Sequence, residues 1–254
     1  MSTPLPCPAP PDDGLASLHD DLDPAHDLAP PHRRLAALLD RQAGVVGRAQ
    51  ALAAGLAPRE VDRLLARRLW CPVHPRVYRA AGRPLTDEAR VRAAVLWAGD
   101  GAVVVGAAAV WWHGITAAEP ATVGVAVPRR CPGPRPGVVV RRQVLPPVDV
   151  VSLRGLAVAV RPLALLDAAV EAGAGGAALL RRALGGDVGV TERDLRAVAG
   201  SSAGPATAAR LITAVTSVVT STATPAATPI GDGKGDVGPT CPRRGMVAIS
   251  ESLQ

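Results

Sequence analysis

The hydrophobic period changes once between residues 33 and 82, and that change constrains the fold more than any other feature. Over residues 32–41, HRRLAALLDR, the leucines Leu35, Leu38 and Leu39 recur at i, i+3, i+4, the spacing of one helix face. Gly44 stops that helix, and Val45-Val46 is a short extended link. A second short helix is expected from Gly47, a tolerable N-cap, to about Ala54, with Gly55 closing it. Leu56-Ala57 makes the turn, and Pro58, suited to a first helical position, opens a third helix to about Leu69. Two extended runs follow, Trp70–Val73 and Val77–Ala81, around His74-Pro75-Arg76, a hairpin with proline in its turn. Three short helices and then a hairpin is the order of a winged helix-turn-helix.

The same stretch carries the charge. Residues 31–80 hold ten Arg against Asp40, Glu60 and Asp62, a net +7, whereas residues 1–30 hold six Asp and no Lys or Arg, a net −6. A compact basic block is the electrostatic footprint of a nucleic-acid binder. At about 100° per residue, Arg59, Arg63 and Arg67 fall on one stripe of the third helix. Val61, Leu64 and Leu65 lie opposite and are expected to pack against Leu35, Leu38, Leu39 and Leu52. Three guanidinium groups outward and an aliphatic face inward suit the major groove, because Arg bonds two acceptors of guanine or clamps a phosphate. Arg48, at the start of the second helix, is placed for the flanking backbone. Arg76 and Arg79 sit on the hairpin, where a wing meets phosphate or the minor groove. An arginine stripe alone is equally a solvated helix face; the helix spacing, the hairpin and the charge concentration together favour double-stranded DNA.

Aromatic content sharpens this. With no Phe, one Tyr and four Trp in 254 residues, any core is built mainly from Leu and Val. That excludes the aromatic platforms on which RNA-recognition sheets and oligonucleotide barrels stack bases.

Residues 84–200 read as a second, compact α+β region. Thr86 caps a helix to Ala98, with Asp87 and Glu88 in a first turn that favours carboxylates. Periodicity does not decide between strand and helix over the apolar residues 102–115. Thr122–Pro128 and Gly137–Gln143 read as strands, and Val150–Val160 as a hairpin turning near Arg154-Gly155. Helices are expected at Leu163–Glu171, Ala177–Leu184 and Thr191–Ala199. Residues 1–31 read as an acidic, Pro-rich arm without a core. Residues 215–254 read as a low-complexity tail, after a short helical continuation around Ala206–Val219.

The string LAALLDRQAGVVGRAQALAAGLAPREVDRLLARRLWCPVHPRVYRAAG resembles the N-terminal winged helix of actinobacterial AbiEi-type antitoxins of type IV toxin–antitoxin systems. The resemblance continues through LTDEARVRAAVLWAGDGAVV, VAVPRR, LPPVDV, RGLAV, LLDAAV and RRALGGDVGVTERDLRAV, covering residues 34–200. The Gln-Ala-Gly, Arg-Ala-Gln-Ala and Val-His-Pro-x-Val-Tyr strings are its most specific parts. It implies a winged helix at 33–82 and an AbiEi-like α+β domain at 84–200. It further implies an autorepressor bound to its own operator, with a second domain that counters a nucleotidyltransferase-like toxin. The chain departs from the pattern at several positions. Ala57 stands where relatives have a polar N-cap, and Arg68-Leu69 and Arg76 stand where they have glycines. Val105-Gly106 replaces a Ser-His pair, and Ala159 and Ala164 replace two threonines, though Asp167 remains.

No catalytic, cofactor or metal site is expected, and the protein does not read as an enzyme. His19, His26 and His32 alternate with Asp but precede the fold. His74, in the wing turn, is expected to be solvent-exposed or on phosphate, and His113, after Trp111-Trp112, to be a satisfied buried histidine. All four Trp are core candidates. Asp167 alone supports no acid–base pair and is expected to make a structural hydrogen bond. Asp232-Gly233-Lys234 has the look of a nuclease element, but no further carboxylate lies between Asp194 and Asp232 to hold an ion. Gly231, Gly233 and Gly235 have no flanking strand and helix to make a phosphate loop. Two alternatives remain: a module that neutralises a partner protein with little DNA binding, and an inactive remnant of a restriction-endonuclease-like protein. Cys7, Cys71, Cys131 and Cys241 are isolated, which argues against zinc and a disulfide framework, so a cytoplasmic location is expected. The longest apolar run, 11 residues from Ala102 to Trp112, is too short to span a membrane.

Overall fold

In a computed structural model, which describes residues 30–128, 133–186 and 188–221, the Leu35/Leu38/Leu39 stripe lies on helix α1, Pro30–Arg41. Most of the acidic arm, the Asp232 region and Cys7, Cys131 and Cys241 lie outside the described residues. Next come β1 (Val45–Gly47), α2 (Arg48–Ala53), α3 (Pro58–Ala66), β2 (Trp70–His74) and β3 (Val77–Ala80). The expected link at Val45-Val46 is a strand. It pairs antiparallel with β3, Val46 opposite Tyr78, and the sheet order is β1-β3-β2. Leu35, Val46, Ala51, Leu56, Val61, Trp70 and Tyr78 form one core, with Leu38, Leu39, Leu64 and Leu65 packed on it. Trp70 and Tyr78 stack across β2 and β3 with centroids 5.7 Å apart. Leu52, expected in this core, is 37% exposed; Ala51 takes the inward position of the short α2 instead.

Helix α3 ends three residues earlier than its pattern predicts. Arg68 adopts φ 57°, the Arg68 N–H donates to the Leu65 carbonyl and the Leu69 N–H to the Leu64 carbonyl, both at 3.0 Å. That is a Schellman stop with Arg where glycine is the easy residue.

The second region contains α4 (Asp87–Ala98), β4 (Val103–Val105), α5 (Gly106–Trp112), β5 (Val123–Val127), β6 (Val138–Arg142), β7 (Val150–Leu153) and β8 (Leu156–Ala159). It continues with α6 (Arg161–Glu171), α7 (Gly176–Leu184), α8 (Glu192–Val198) and α9 (Pro205–Ser221). The five-stranded sheet runs β6-β5-β4-β8-β7. β4 is antiparallel to β5 and parallel to β8, and β7–β8 is the expected hairpin. The chain is therefore a mixed α+β protein with two sheets. The apolar run at 102–115 resolves into strand then helix at Gly106, whose φ of +63° breaks the strand. Helix α4 is apolar on two sides, so it is buried on two sides. Ala89 and Ala93 pack with Val45 and Val77 of the small sheet, while Val91 and Ala94 join the larger core.

Two expectations are corrected. The tail does not begin at residue 215: α9 continues to Ser221, and Ala208, Ile212 and Val215 are buried in the larger core. Cys71 is joined in a disulfide rather than isolated, and the other three cysteines lie outside the described residues. Among the described residues no helix is long and apolar enough to cross a membrane.

Candidate nucleic-acid interface

Pro58 opens α3 without losing a hydrogen bond, since the first N–H of a helix has no intrahelical partner. Ala57 offers no side-chain acceptor, but the Glu60 carboxylate accepts the Ala57 N–H at 2.6 Å, which is half of a capping box. Val61 is fully buried, and on the other side Arg59, Arg63 and Arg67 are exposed. Arg67 occupies the C-cap position. Among the described residues, none of the three forms an ion pair with a carboxylate.

Arg48 is the junction of the region. Its backbone N–H donates to the Arg76 carbonyl in the β2–β3 turn at 2.7 Å, and its guanidinium donates to Asp62 Oδ1 on α3 at 2.7 Å. One residue therefore ties the hairpin turn to α3. The Asp62 hydrogen bond raises the Arg48 pKa above its ordinary value, and the same bond holds the Asp62 carboxyl below the usual carboxylate range. Asp62 lies beside Arg63 in sequence, and Arg48 offsets its negative charge.

A second tether fixes α2 against α1. Gln42 and Gln50 form a reciprocal amide pair, with both bonds at 3.0 Å, and Gln50 Oε1 also accepts the Gly47 N–H at 3.1 Å. On the hairpin, Arg76 is exposed at φ 63°, a second arginine in a left-handed turn position. Arg79 is half-buried, and its guanidinium donates to the Arg83 carbonyl. The structure thus leaves Arg59, Arg63, Arg67 and Arg76 open, and engages Arg48 and Arg79 with the protein itself.

His74 departs from expectation. It is half-buried beside Trp97 of α4, with ring centroids 5.5 Å apart, and burial followed by the Arg135 charge lowers its pKa. A ring half-covered by Trp97 in this way is a poor partner for phosphate. His113 is half-buried as well, with Nε2 2.8 Å from the Ala159 carbonyl.

Asp167 makes the structural hydrogen bonds expected of it. It is fully buried, accepts from Ser202 Oγ at 2.7 Å and the Ala203 N–H at 2.9 Å, and pairs with Arg141 at 3.2 Å. Sequence reasoning missed its neighbour Glu171, one turn along α6, although i, i+4 spacing was the available signal. Glu171 pairs with the same Arg141 at 2.6 Å and accepts the Ala107 N–H at 3.0 Å, while burial pushes its pKa up. Gly106 sits at φ +63°, a conformation that L side chains rarely adopt, and a Cβ there would press on that carboxylate. Both carboxyl groups are committed to one arginine and to backbone N–H groups, with the Ser202 hydroxyl added at Asp167, an arrangement that holds β6 and the start of α5 to α6.

No protein-family model matches this chain, and comparison with curated proteins finds no relative.

Proposed function

We propose that residues 33–82 form a winged helix-turn-helix that binds double-stranded DNA, with α3 as the recognition helix and the β2–β3 turn as the wing. The observation that carries this reading is the face of α3. Arg59, Arg63 and Arg67 are exposed, and unpaired among the described residues, opposite buried Val61, next to a turn presenting Arg76 and tied to α3 through Arg48. On this reading Arg63, in the middle of the stripe, reaches a base edge, and Arg76 reaches phosphate or the minor groove. Arg48 holds the hairpin turn through its backbone N–H, while its guanidinium, like that of Arg79, is engaged by the protein itself.

The function proposed for the whole chain is sequence-specific repression, of its own operon, by an antitoxin of the AbiEi type. The resemblance across residues 34–200 supports it, and the winged helix carries that resemblance better than the second region. A nucleotidyltransferase-like toxin from the same operon is the proposed functional partner. Footprinting of the full chain on its own upstream DNA, at several salt concentrations, tests the DNA reading. Discrete protection that weakens steeply with salt is expected; uniform or absent protection would overturn it. Co-expression of the full chain with the toxin encoded beside it tests the antitoxin reading, with rescue of growth as the expected result.

A further inference from the structure

The end of α5, the turn of the β7–β8 hairpin and the first residue of α6 enclose an open cavity of about 740 Å³. Trp111, His113, Thr116, Arg154 and Arg161 contribute to its wall, and among the described residues no carboxylate does. Such a volume is ordinary for a small-molecule site. Nearby Arg92 is balanced by Glu88 at 2.8 Å, but neither Arg154 nor Arg161 pairs with a carboxylate among the described residues. The cavity therefore concentrates uncompensated positive charge.

The hairpin turn shows what holds Arg154 there. Arg154 and Gly155 both have positive φ, 49° and 76°, the geometry for which Asn-Gly is the favoured pair. Arg at the first position is a conformational cost. In return its guanidinium lies 4.0 Å from the centroid of the Trp112 ring and donates to the Trp112 carbonyl. An arginine has five N–H donors, so this bond leaves others free. Arg161 is the first residue of α6, at the positive end of the helix dipole. Both cations line the cavity, and after burial the charges of Arg161 and Arg154 help to hold the His113 pKa down. Thr116 adds a hydroxyl whose oxygen accepts the Ala118 N–H, leaving its own hydrogen to donate. Trp111 is half-buried, so part of its indole remains accessible at the wall.

We infer that this cavity binds a small phosphorylated ligand of nucleotide size, with Arg154 and Arg161 on the phosphate and Trp111 against a planar group. Guanidinium forks match phosphate oxygens two at a time. The site uses none of the arginines assigned to DNA.

The test is calorimetric titration of the full chain with adenosine monophosphate, adenosine and inorganic phosphate, on wild type, Arg154→Asn and Arg161→Gln. Asn is the residue the turn prefers, so Arg154→Asn keeps the hairpin while removing the cation. Saturable submillimolar binding of adenosine monophosphate is expected, weaker by about tenfold or more in each variant and for each half of the ligand. The His113 ring resonances are expected to move on binding in the wild type. Absence of saturable binding up to about 10 mM, or equal binding by wild type and both variants, would overturn the assignment. So would inorganic phosphate binding as tightly as the nucleotide. Duplex DNA affinity is expected to be unchanged in both variants; a parallel loss would place these arginines on the DNA surface and overturn the small-ligand site.

Discussion

Asp62→Asn is expected to strengthen DNA binding. Asp62 lies on α3 three residues after Arg59 and one before Arg63, and its carboxylate is engaged by Arg48 at 2.7 Å. The substitution removes a negative charge from the proposed DNA-facing side and frees the Arg48 guanidinium. In counterion-release terms, neutralising one more phosphate steepens the slope of log K against log salt by about 0.9. Over a fourfold rise from about 50 to about 200 mM salt, that slope alone corresponds to a roughly threefold to fourfold factor. The fold does not confound the measurement, because the Asp62 side chain is 60% exposed and exposed ion pairs contribute little to stability. Fluorescence anisotropy with the labelled upstream duplex, at four salt concentrations, reads both affinity and slope. Arg48→Ala makes the converse comparison: it leaves Asp62 charged and is expected to weaken binding. Asp62→Asn binding with an unchanged slope and unchanged or lower affinity would refute the reasoning.

Arg68→Gly replaces an arginine at φ 57° by the residue that position favours and is expected to stabilise the fold by about 1 kcal/mol, read by thermal melting. Truncation after Ala214 removes Val215 from the core and is expected to lower the thermal midpoint by several degrees. The single substitution Val215→Ala is expected to cost about 2 kcal/mol in the same assay. Residues 1–30 carry six Asp, and Pro31, which follows them, packs beside Gly55 in the α2–α3 turn. Replacing all six by Asn in the full chain is expected to tighten DNA binding at low salt, with the difference shrinking as salt screens it.

The parts of this fold that were legible in sequence are the ones with local causes. Thr86 and Thr191 cap their helices by accepting N–H groups three residues on, so spacing alone located both starts. The two faces of α3 followed from 100° per residue, which separated buried Val61 from exposed Arg59, Arg63 and Arg67. What was not legible has causes distant in the chain. Arg48 meets Asp62 across 14 residues, and a composition count sees only two opposite charges. His74 occupies an apparent turn, but Trp97 of another helix half-covers it. Val45–Gly47 is too short to show alternation, and only pairing with β3 makes it a strand. The Glu171 carboxylate meets the Ala107 N–H, beside the break at Gly106, across 64 residues. Helix α9 is the reverse case. A short helical continuation is expected around Ala206–Val219, but its packing is not: Ala208, Leu211, Ile212 and Val215 recur at i, i+3, i+4, i+7, and three of the four are buried.

The triple substitution Arg59/Arg63/Arg67→Ala in the full chain tests the central proposal most directly, by anisotropy on the upstream duplex alongside circular dichroism and thermal melting. All three side chains are exposed and free of carboxylate partners among the described residues, so the fold and its midpoint are expected to persist. Specific DNA binding is expected to be lost, with the residual salt slope shallower by up to about three units. A triple variant that keeps the wild-type midpoint and binds the same duplex at wild-type affinity and slope would contradict the account.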